Sequence, residues 1–213
     1  MTNFDKATIL IIKIALFMAF IDDEFHDSEA NIIKKWINQR AKGKVKTKAK
    51  DAGYKFIERS VSYDTAFRDS TKLVKSGKLN VEDLCSKLCS INSEPGGIEA
   101  LELAVQIMIA DNEIRPSEVK LIHQLAGLLD IPWKEIMKIT DRTILGMSKV
   151  PNKIDIEGLL KIDPTVSNKN ADKRFQKEIN KWNAATTSVE TDLGRKIAQK
   201  MYDLFSDAND KYA

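Results

Sequence analysis

The chain has 213 residues, of which 43% are hydrophobic and 31% are charged, a balance typical of a soluble globular protein of one or two domains. Its two cysteines and two histidines exclude most zinc architectures and any scaffold dense in disulfides. The net charge of +3 is too small by itself to indicate a nucleic-acid partner.

The first predicted element is an apolar helix over residues 9–21. Lys13 is the only charged residue in this stretch, which is too short for a bilayer span of about 20 residues. Asp5 precedes the stretch and Asp22 follows it, so the basic start and small-residue cleavage site of a signal peptide are missing. We therefore expect a buried core helix in a cytoplasmic protein whose thiols are reduced.

An internal repeat is the main feature of the sequence. When the chain is shifted by 89 residues, residues 9–37 align without gaps on residues 98–126. Each copy has an apolar run, an acidic turn and a stretch whose apolar residues recur on one helix face. Two copies are too few for a solenoid. The repeat therefore predicts an all-α, pseudo-twofold domain in which two helical hairpins pack together.

The carboxylates of the two turns fall into two classes. Glu29 and Glu118 lie in the first turn of the following helix, where a carboxylate accepts backbone N–H groups and meets the positive end of the helix dipole. Asp22, Asp23 and Asp111 lie at the end of the preceding helix, where a negative charge opposes the dipole. A structural role explains the first class, whereas the second class calls for a further reason.

A hard divalent cation, Ca²⁺ or Mg²⁺, is one such reason, because these ions prefer oxygen ligands. The candidate metal ligands are Asp22, Asp23, Glu24, Asp111 and Glu113. The ligand spacing and glycine of an EF-hand are absent, and neither turn offers a complete set of ligands. The other explanation is that these carboxylates have a structural role or face a partner protein. His26 stands in the first turn and offers a cap, a titratable group or a ligand.

Basic residues concentrate between the repeats, since residues 40–90 carry thirteen basic and six acidic side chains. The densest group is Arg40, Lys42, Lys44, Lys46, Lys48, Lys50, Lys55 and Arg59. We predict helices near residues 47–60, 64–76 and 80–92, which makes this group a solvated helix–loop–helix connection. The alternative is a patch over residues 40–59 that binds an anionic polymer or a membrane surface. Nucleic acid is not the expected partner, because only Tyr54 and Phe56 interleave with the lysines and no DNA- or RNA-binding motif is present.

The chain is predicted to end in a helical hairpin. A helix from Pro132 or Trp133 to about Ile144 closes a first domain over residues 1–145, and a partly structured linker follows over residues 146–167. Over residues 168–213, two helices with apolar stripes are predicted to bury each other, joined by a turn at residues 183–188. The first of them carries the basic residues Lys173, Arg174, Lys177 and Lys181.

The sequence shows no catalytic constellation. Cys85 and Cys89 stand four residues apart on a predicted helix, a spacing typical of core packing and different from a redox Cys-x-x-Cys motif. Neither histidine has a Ser, Cys or carboxylate at a spacing that indicates a triad. We therefore predict that the protein is not an enzyme.

The second copy resembles the signature of the TerB-like domain, found in tellurite-resistance TerB proteins and in some membrane-anchored DnaJ-like co-chaperones. The matching residues run from Ala110 to Glu118, with Asn112 where the family usually has Gly. The resemblance covers roughly residues 5–140 and implies about seven helices and no enzymatic activity. It also implies a role in stress response, contact with divalent metals and protein assembly at the inner membrane surface. The family's acidic positions correspond to Asp22, Glu24, Glu29, Asp111, Glu113 and Glu118.

Residues 168–213 resemble the Lys-Glu-x-x-Lys-Trp-Asn hairpin that follows TerB-like domains in some bacterial proteins, and also the central two helices of a J domain. The His-Pro-Asp motif that a J domain needs to stimulate its Hsp70 partner is absent, since the predicted turn runs from Asn183 through Ala-Ala-Thr to Thr187. The resemblance therefore implies a degenerate, J-like docking hairpin.

These features predict a cytoplasmic, non-enzymatic TerB-like adaptor in a stress-response assembly of the tellurite-resistance or phage-response kind. Its partners would be other proteins, in a chaperone or membrane-associated complex, with a peripheral position at the inner membrane as an option. The candidate partner-binding residues are Glu29, Glu118, Lys173, Arg174, Lys177 and Lys181. The two alternatives are a divalent-metal-responsive module built on the acidic turns and an anionic-surface binder built on residues 40–59.

Overall fold

A computed structural model describes residues 1–48, 54–91, 94–162 and 169–212, and over these ranges the chain is all-α, as predicted. Two short strand pairs accompany the helices. In chain order the elements are α1 (Asn3–Ala19), α2 (Asp27–Arg40), β1 (Lys44–Lys48), β2 (Tyr54–Glu58), α3 (Arg59–Lys75), α4 (Val81–Ile91), α5 (Glu94–Met108), β3 (Glu113–Ile114), α6 (Pro116–Leu128), α7 (Trp133–Leu145), β4 (Lys153–Ile154), α8 (Ile156–Leu159), α9 (Lys169–Ser188) and α10 (Asp192–Asp210).

The internal repeat is visible in the helix boundaries. Helices α1 and α5 end 89 residues apart, and α2 and α6 begin 89 residues apart. Helix α1 packs on α5, and α2 and α6 flank this pair. Side chains of both helices, such as Leu16 of α1 and Leu101 of α5, are completely buried. Residues 9–21 therefore form a core helix up to Ala19, as predicted, and no helix in the described ranges is long and apolar enough to cross a membrane.

The prediction of a helix near residues 47–60 is wrong, because β1 and β2 form an antiparallel β-ribbon there. In β1, lysines alternate with Val45 and Thr47, a period of two that suits a strand and not a helix. Gly43, at φ +90°, precedes the ribbon, and the Arg59 N–H donates to its carbonyl at 2.8 Å to close the base. Lys50 of the predicted basic group lies outside the described residues.

The segment predicted as a linker packs against the second repeat. Strand β4 pairs in parallel with β3, and the side chains of Ile154 and Ile156 are buried. Helix α8 follows, while residues 163–168 lie outside the described part of the chain. Helix α10 contacts both α7 and α8. The division into a domain, a linker and a hairpin stays a prediction.

The prediction of a turn at residues 183–188 is wrong. Helix α9 continues to Ser188 because Ala184 and Ala185 are strong helix formers, so the connection shortens to residues 189–191. Thr191 caps α10 by accepting a hydrogen bond from the Gly194 N–H at 3.1 Å. The pairing of the two helices, with Phe175, Trp182 and Phe205 buried, agrees with the prediction.

Gly194→Ala is expected to destabilise the protein by about 1–2 kcal/mol, because overpacking a tight site forces its neighbours to move. A Cβ at this position would lie 2.4 Å from Val189 Cγ1 and 2.8 Å from Thr191 Oγ1. Gly127→Ala in α6 is the matched control, since its added methyl would meet nothing within 4 Å. We expect that variant to gain up to about 1 kcal/mol, because alanine is the better helix former. Chemical denaturation of both variants measures the difference, and equal stabilities would contradict the tight turn.

Candidate functional site

The two predicted acidic turns meet between the repeats. Arg115 Nη1 lies 3.5 Å from Asp22 Oδ2, and His26 Nε2 lies 3.9 Å from Asp111 Oδ2. These pairs are equivalent under the 89-residue shift, which aligns Asp22 with Asp111 and His26 with Arg115. Each turn therefore places its aspartate beside the basic residue of the other turn. We call this cluster the acidic centre: Asp22, Glu24, His26, Asp111, Glu113 and Arg115.

Each aspartate of the acidic centre also shapes its own turn. Asp22 Oδ1 accepts a hydrogen bond from the backbone N–H of Glu24 at 3.2 Å, and the equivalent bond to Asp111 Oδ1 is 2.9 Å long. The residue enclosed by each bond has a positive φ, +64° at Asp23 and +68° at Asn112. Asp and Asn tolerate this conformation better than other non-glycine residues. Turn formation therefore explains why aspartates follow both helices despite the unfavourable helix dipole.

Glu29 and Glu118 are buried caps. Each carboxylate accepts a hydrogen bond at 2.8 Å from the backbone N–H three residues before it, which confirms the predicted capping. The two residues are only 5% and 3% exposed. Burial raises the pKa of Glu29 to about 7 and that of Glu118 to about 8; the capping bonds oppose this rise, and the charges of Asp22 and Asp111 add to it. Neither carboxylate reaches the surface, where partner binding would take place.

Arg115 supplies the positive charge of the acidic centre. Its guanidinium lies 2.7 Å from Asp111, 3.3 Å from Glu113 and 3.5 Å from Asp22. The hydrogen bond to Asp111 raises the pKa of Arg115 above its ordinary value. Three of the five candidate metal ligands, Asp22, Asp111 and Glu113, thus converge on a side chain of the protein itself. Across the described ranges, no group of three or more His, Cys, Asp or Glu side chains is arranged to hold a metal ion.

The exposed part of the acidic centre lies at its edge. The side chains of Glu24 and Glu113 are 66% and 40% exposed, and Asp23, between Asp22 and Glu24, is exposed as well. We call Asp23, Glu24 and Glu113 the acidic rim. A groove of about 510 Å³ begins at Glu113 and continues along Lys153 and Asp155 of the β4 segment. The rim and this groove are accessible to another molecule, whereas the aspartates beneath them are tied to Arg115.

The carboxylates of the acidic centre were predicted from the sequence, whereas Arg115 was not, and His26 had no predicted partner. The repeat contained the necessary signal, because the shift that aligns the two aspartates also aligns His26 with Arg115. A basic residue at the same position of both copies, four residues after the aspartate, indicates a shared counter-charge. Which aspartate each basic residue reaches depends on how the two repeats pack.

Two of the basic residues predicted on the first helix of the hairpin contact neighbouring segments. Arg174 donates to the carbonyl of Leu160 at 2.9 Å, and Lys181 lies 2.7 Å from Asp141 and also pairs with Glu178. These contacts fasten α9 to α7 and α8. Lys173, Arg174 and Lys177 are exposed. The surface of α9 therefore offers three of the four predicted residues for partner binding.

The thiols are placed for packing. Cys85 is completely buried, and burial raises its pKa to about 12, so the thiol is protonated at neutral pH. Cys89 is half-buried on the same helix, near the carbonyl of Leu128. A protonated, buried thiol is a poor nucleophile.

No family model, curated protein or solved structure matches this chain. The resemblance to the TerB-like domain therefore stays a prediction that depends on the turn residues and the repeat.

Proposed function

We propose that this protein is a non-enzymatic, TerB-like adaptor that binds a partner protein through its acidic rim, within a stress-response assembly. The observation that carries the proposal is the convergence of two distant turns into one acidic surface. Asp22 and Asp111 hold the turns together through Arg115, which leaves Glu24 and Glu113 facing solvent on either side. The pseudo-twofold repeat thereby builds a single surface from residues 89 positions apart.

The charge of this surface indicates the chemistry of the partner. The acidic rim contributes three carboxylates, one of which, Glu113, shares the charge of Arg115 with Asp22 and Asp111. A segment rich in Lys or Arg complements such a surface, and complementary charges increase the association rate and the specificity of binding. Lys173 and Lys177 on α9 give a second, basic surface that suits a different, acidic contact. An adaptor needs two such separate surfaces.

The proposal predicts that the double variant Glu24→Gln and Glu113→Gln loses its partner and keeps its fold. The partner is captured from a lysate of the source cells on the immobilised full chain and identified by mass spectrometry. Because rim charges mainly affect association, we expect retention to fall at least tenfold and to weaken with added salt. The melting temperature should change by no more than about 2 °C, since exposed charges contribute little to stability.

Asp69→Asn with Asp83→Asn is the matched control. These aspartates are 65% and 73% exposed on α3 and α4, outside the acidic centre, and their removal also deletes two negative charges. We expect this control to retain the partner. Equal losses in both double variants would show a response to net charge alone and would exclude the rim as the binding surface.

A further inference from the structure

Strand β3 of the second repeat has a partner strand. It pairs in parallel with β4, so that Glu113 is opposite Lys153 and Ile114 is opposite Ile154. Ile114 is only 1% exposed in this arrangement. An extended segment from outside the repeat therefore completes this edge, with a basic residue opposite the glutamate and an apolar residue opposite the isoleucine.

Two backbone hydrogen bonds extend the pairing beyond the strands. The Asn152 N–H donates to the Asn112 carbonyl at 2.9 Å, and the Asp155 N–H donates to the Ile114 carbonyl at 3.0 Å. The edge of a strand presents unpaired N–H and C=O groups to any extended segment beside it. The carbonyls of Asn112 and Ile114 thus show which acceptors of this turn an added strand uses.

The first repeat has the same turn without a strand partner. Under the 89-residue shift, Asp23 corresponds to Asn112 and Phe25 corresponds to Ile114. Both turns have the hydrogen bond from the aspartate, the positive φ and the capping glutamate, and in both the N-cap residue of the following helix is extended. Among the residues that the structure describes, none donates a hydrogen bond to the carbonyl of Asp23 or of Phe25. We call residues 23–25 the open edge.

The side chains at the open edge are less covered than their equivalents in the second repeat. Phe25 is half-buried, whereas Ile114 is only 1% exposed. The side chain of Glu24 is 66% exposed, whereas that of Glu113 is 40% exposed. Phe25 also stacks on the half-buried ring of Phe20, with the ring centroids 4.5 Å apart. Without a second strand, an aromatic surface and a carboxylate are accessible to another molecule.

The charges around the open edge indicate which segment fits it. Three exposed carboxylates lie in it or next to it: Asp23, Glu24 and Asp27. His26 lies 3.3 Å from Glu24, and the Lys75 ammonium lies 5.6 Å from the centre of the Phe20 ring. Pairs of opposite charge stabilise neighbouring strands, and the second repeat places a lysine opposite its glutamate. The occupant that fits is therefore an extended segment with a basic residue followed by an apolar residue, as in β4.

We propose that the open edge binds an extended segment of the partner protein as an added parallel strand, with a basic residue opposite Glu24 and an apolar residue opposite Phe25. Its N–H groups donate to the carbonyls of Asp23 and Phe25, as those of Asn152 and Asp155 do in the second repeat. In strand addition, main-chain hydrogen bonds give affinity and alternate side chains give specificity. This inference rests on the proposed function, because Asp23 and Glu24 belong to the acidic rim, and it specifies how the partner is bound.

The first test uses a peptide with the sequence of residues 150–156, Val-Pro-Asn-Lys-Ile-Asp-Ile, with both ends blocked. The peptide is added to the ¹⁵N-labelled full chain, and the backbone amide resonances are followed by NMR. We expect saturable shifts that are larger at residues 24–26 than at residues 113–115, because β4 already occupies the second edge. Larger shifts at residues 113–115 would overturn the proposal, since the peptide would then have displaced β4. Absence of saturable shifts with up to about 1 mM peptide would also overturn it.

Two methylated peptides separate strand addition from charge attraction. An N-methyl group on the aspartate of the peptide removes the N–H that donates to the Phe25 carbonyl and leaves every side chain in place. We expect this change to weaken binding about 2- to 10-fold. An N-methyl group on the preceding isoleucine is the matched control, because N–H groups alternate in direction along a strand and this one points away from the open edge. Equal weakening by the two methyl groups would refute an added strand.

Two single variants locate the binding site on the protein. Glu24→Gln and Glu113→Gln remove the same charge at equivalent positions, but only Glu24 lies on the open edge. We expect Glu24→Gln to weaken peptide binding about 2- to 5-fold and Glu113→Gln to leave it nearly unchanged. A thermal melt of each variant verifies that the fold is intact. Equal losses would refute the open edge as the site.

The open edge and the adaptor role can fail separately. If the captured partner is lost in the double variant but the peptide does not bind, the acidic rim stands and the open edge is refuted. If the peptide binds at residues 24–26 but the double variant still retains the captured partner, the open edge stands as a peptide site and the adaptor role of the acidic rim is refuted. Light scattering covers a second copy as occupant. A dimer of the full chain that Glu24→Gln dissociates would assign the edge to β4 of another copy and overturn the proposal.

Discussion

Glu118→Gln is expected to stabilise the protein by a few kcal/mol at pH 8 and to leave its stability unchanged near pH 4. The pKa of Glu118 is raised from 4.5 to about 8, chiefly by burial. A folded-state pKa above the unfolded value means that the stability present below pH 4.5 is lost as the pH rises towards 8. A tenfold difference in proton affinity between the folded and unfolded states corresponds to about 1.4 kcal/mol. The glutamine avoids this loss because it carries no charge and keeps an oxygen that accepts the capping N–H.

The stability of the unaltered protein should depend on pH for the same reason. Glu29, with a pKa raised from 4.5 to about 7, has the same sign as Glu118, so the melting temperature should rise on acidification from pH 8 to pH 5. Asp5 acts in the opposite sense at lower pH. Its pKa is held below 3.8, so its contribution is present above that value and is lost as the pH falls through the folded pKa. The stability maximum is therefore expected near pH 4–5.

Thermal melts between pH 2 and pH 8 test both statements. Glu190→Gln is the matched control, because this exposed glutamate at the α9–α10 turn loses the same charge. If the stability of Glu118→Gln depends on pH in the same way as that of the unaltered protein, burial does not raise the pKa of this carboxylate.

Arg115→Ala is expected to destabilise the protein by about 2–3 kcal/mol, slightly less than the loss of one partner from a fully buried ion pair, because Arg115 is 28% exposed. For a chain of this size, the melting temperature should fall by roughly 4–12 °C. The cause is that Asp22, Asp111 and Glu113 lose the cation that holds the two turns together. The charge on the neighbouring Glu118 should then be still less favourable, so the loss should grow with pH.

Arg142→Ala is the matched control, since Arg142 pairs with Glu102 on the surface and its side chain is 66% exposed. Such a pair contributes at most about 1 kcal/mol. The melts are repeated in chelator, in Ca²⁺ and in Mg²⁺. We expect neither ion to change the melting temperature of the unaltered protein. Both ions should restore part of the stability that Arg115→Ala loses, because they can bind the carboxylates that Arg115 no longer covers. If either ion raised the melting temperature of the unaltered protein, that result would support the metal-responsive alternative.

The sequence by itself determined the features that depend on local patterns. The repeat predicted equivalent helices, and α1 with α5 and α2 with α6 follow the 89-residue offset. Glu29 and Glu118 were recognised as caps because capping depends on a spacing of three residues. The ribbon was missed although its alternation of Lys with Val45 and Thr47 was visible, because a general expectation of helices was given more weight than the period of two. The hairpin turn was misplaced because strong helix formers continued α9 to Ser188.

Only the tertiary structure decided what surrounds the charges. Asp22 and Asp111 were candidate metal ligands in the sequence, and packing of the repeats placed Arg115 between them. Arg40 and Arg59 belonged to a basic group in the sequence and became partners of Glu99 and Asp5. Local patterns follow from backbone geometry over a few residues. The environment of a charge depends on residues tens of positions away, which the chain brings together only when it folds.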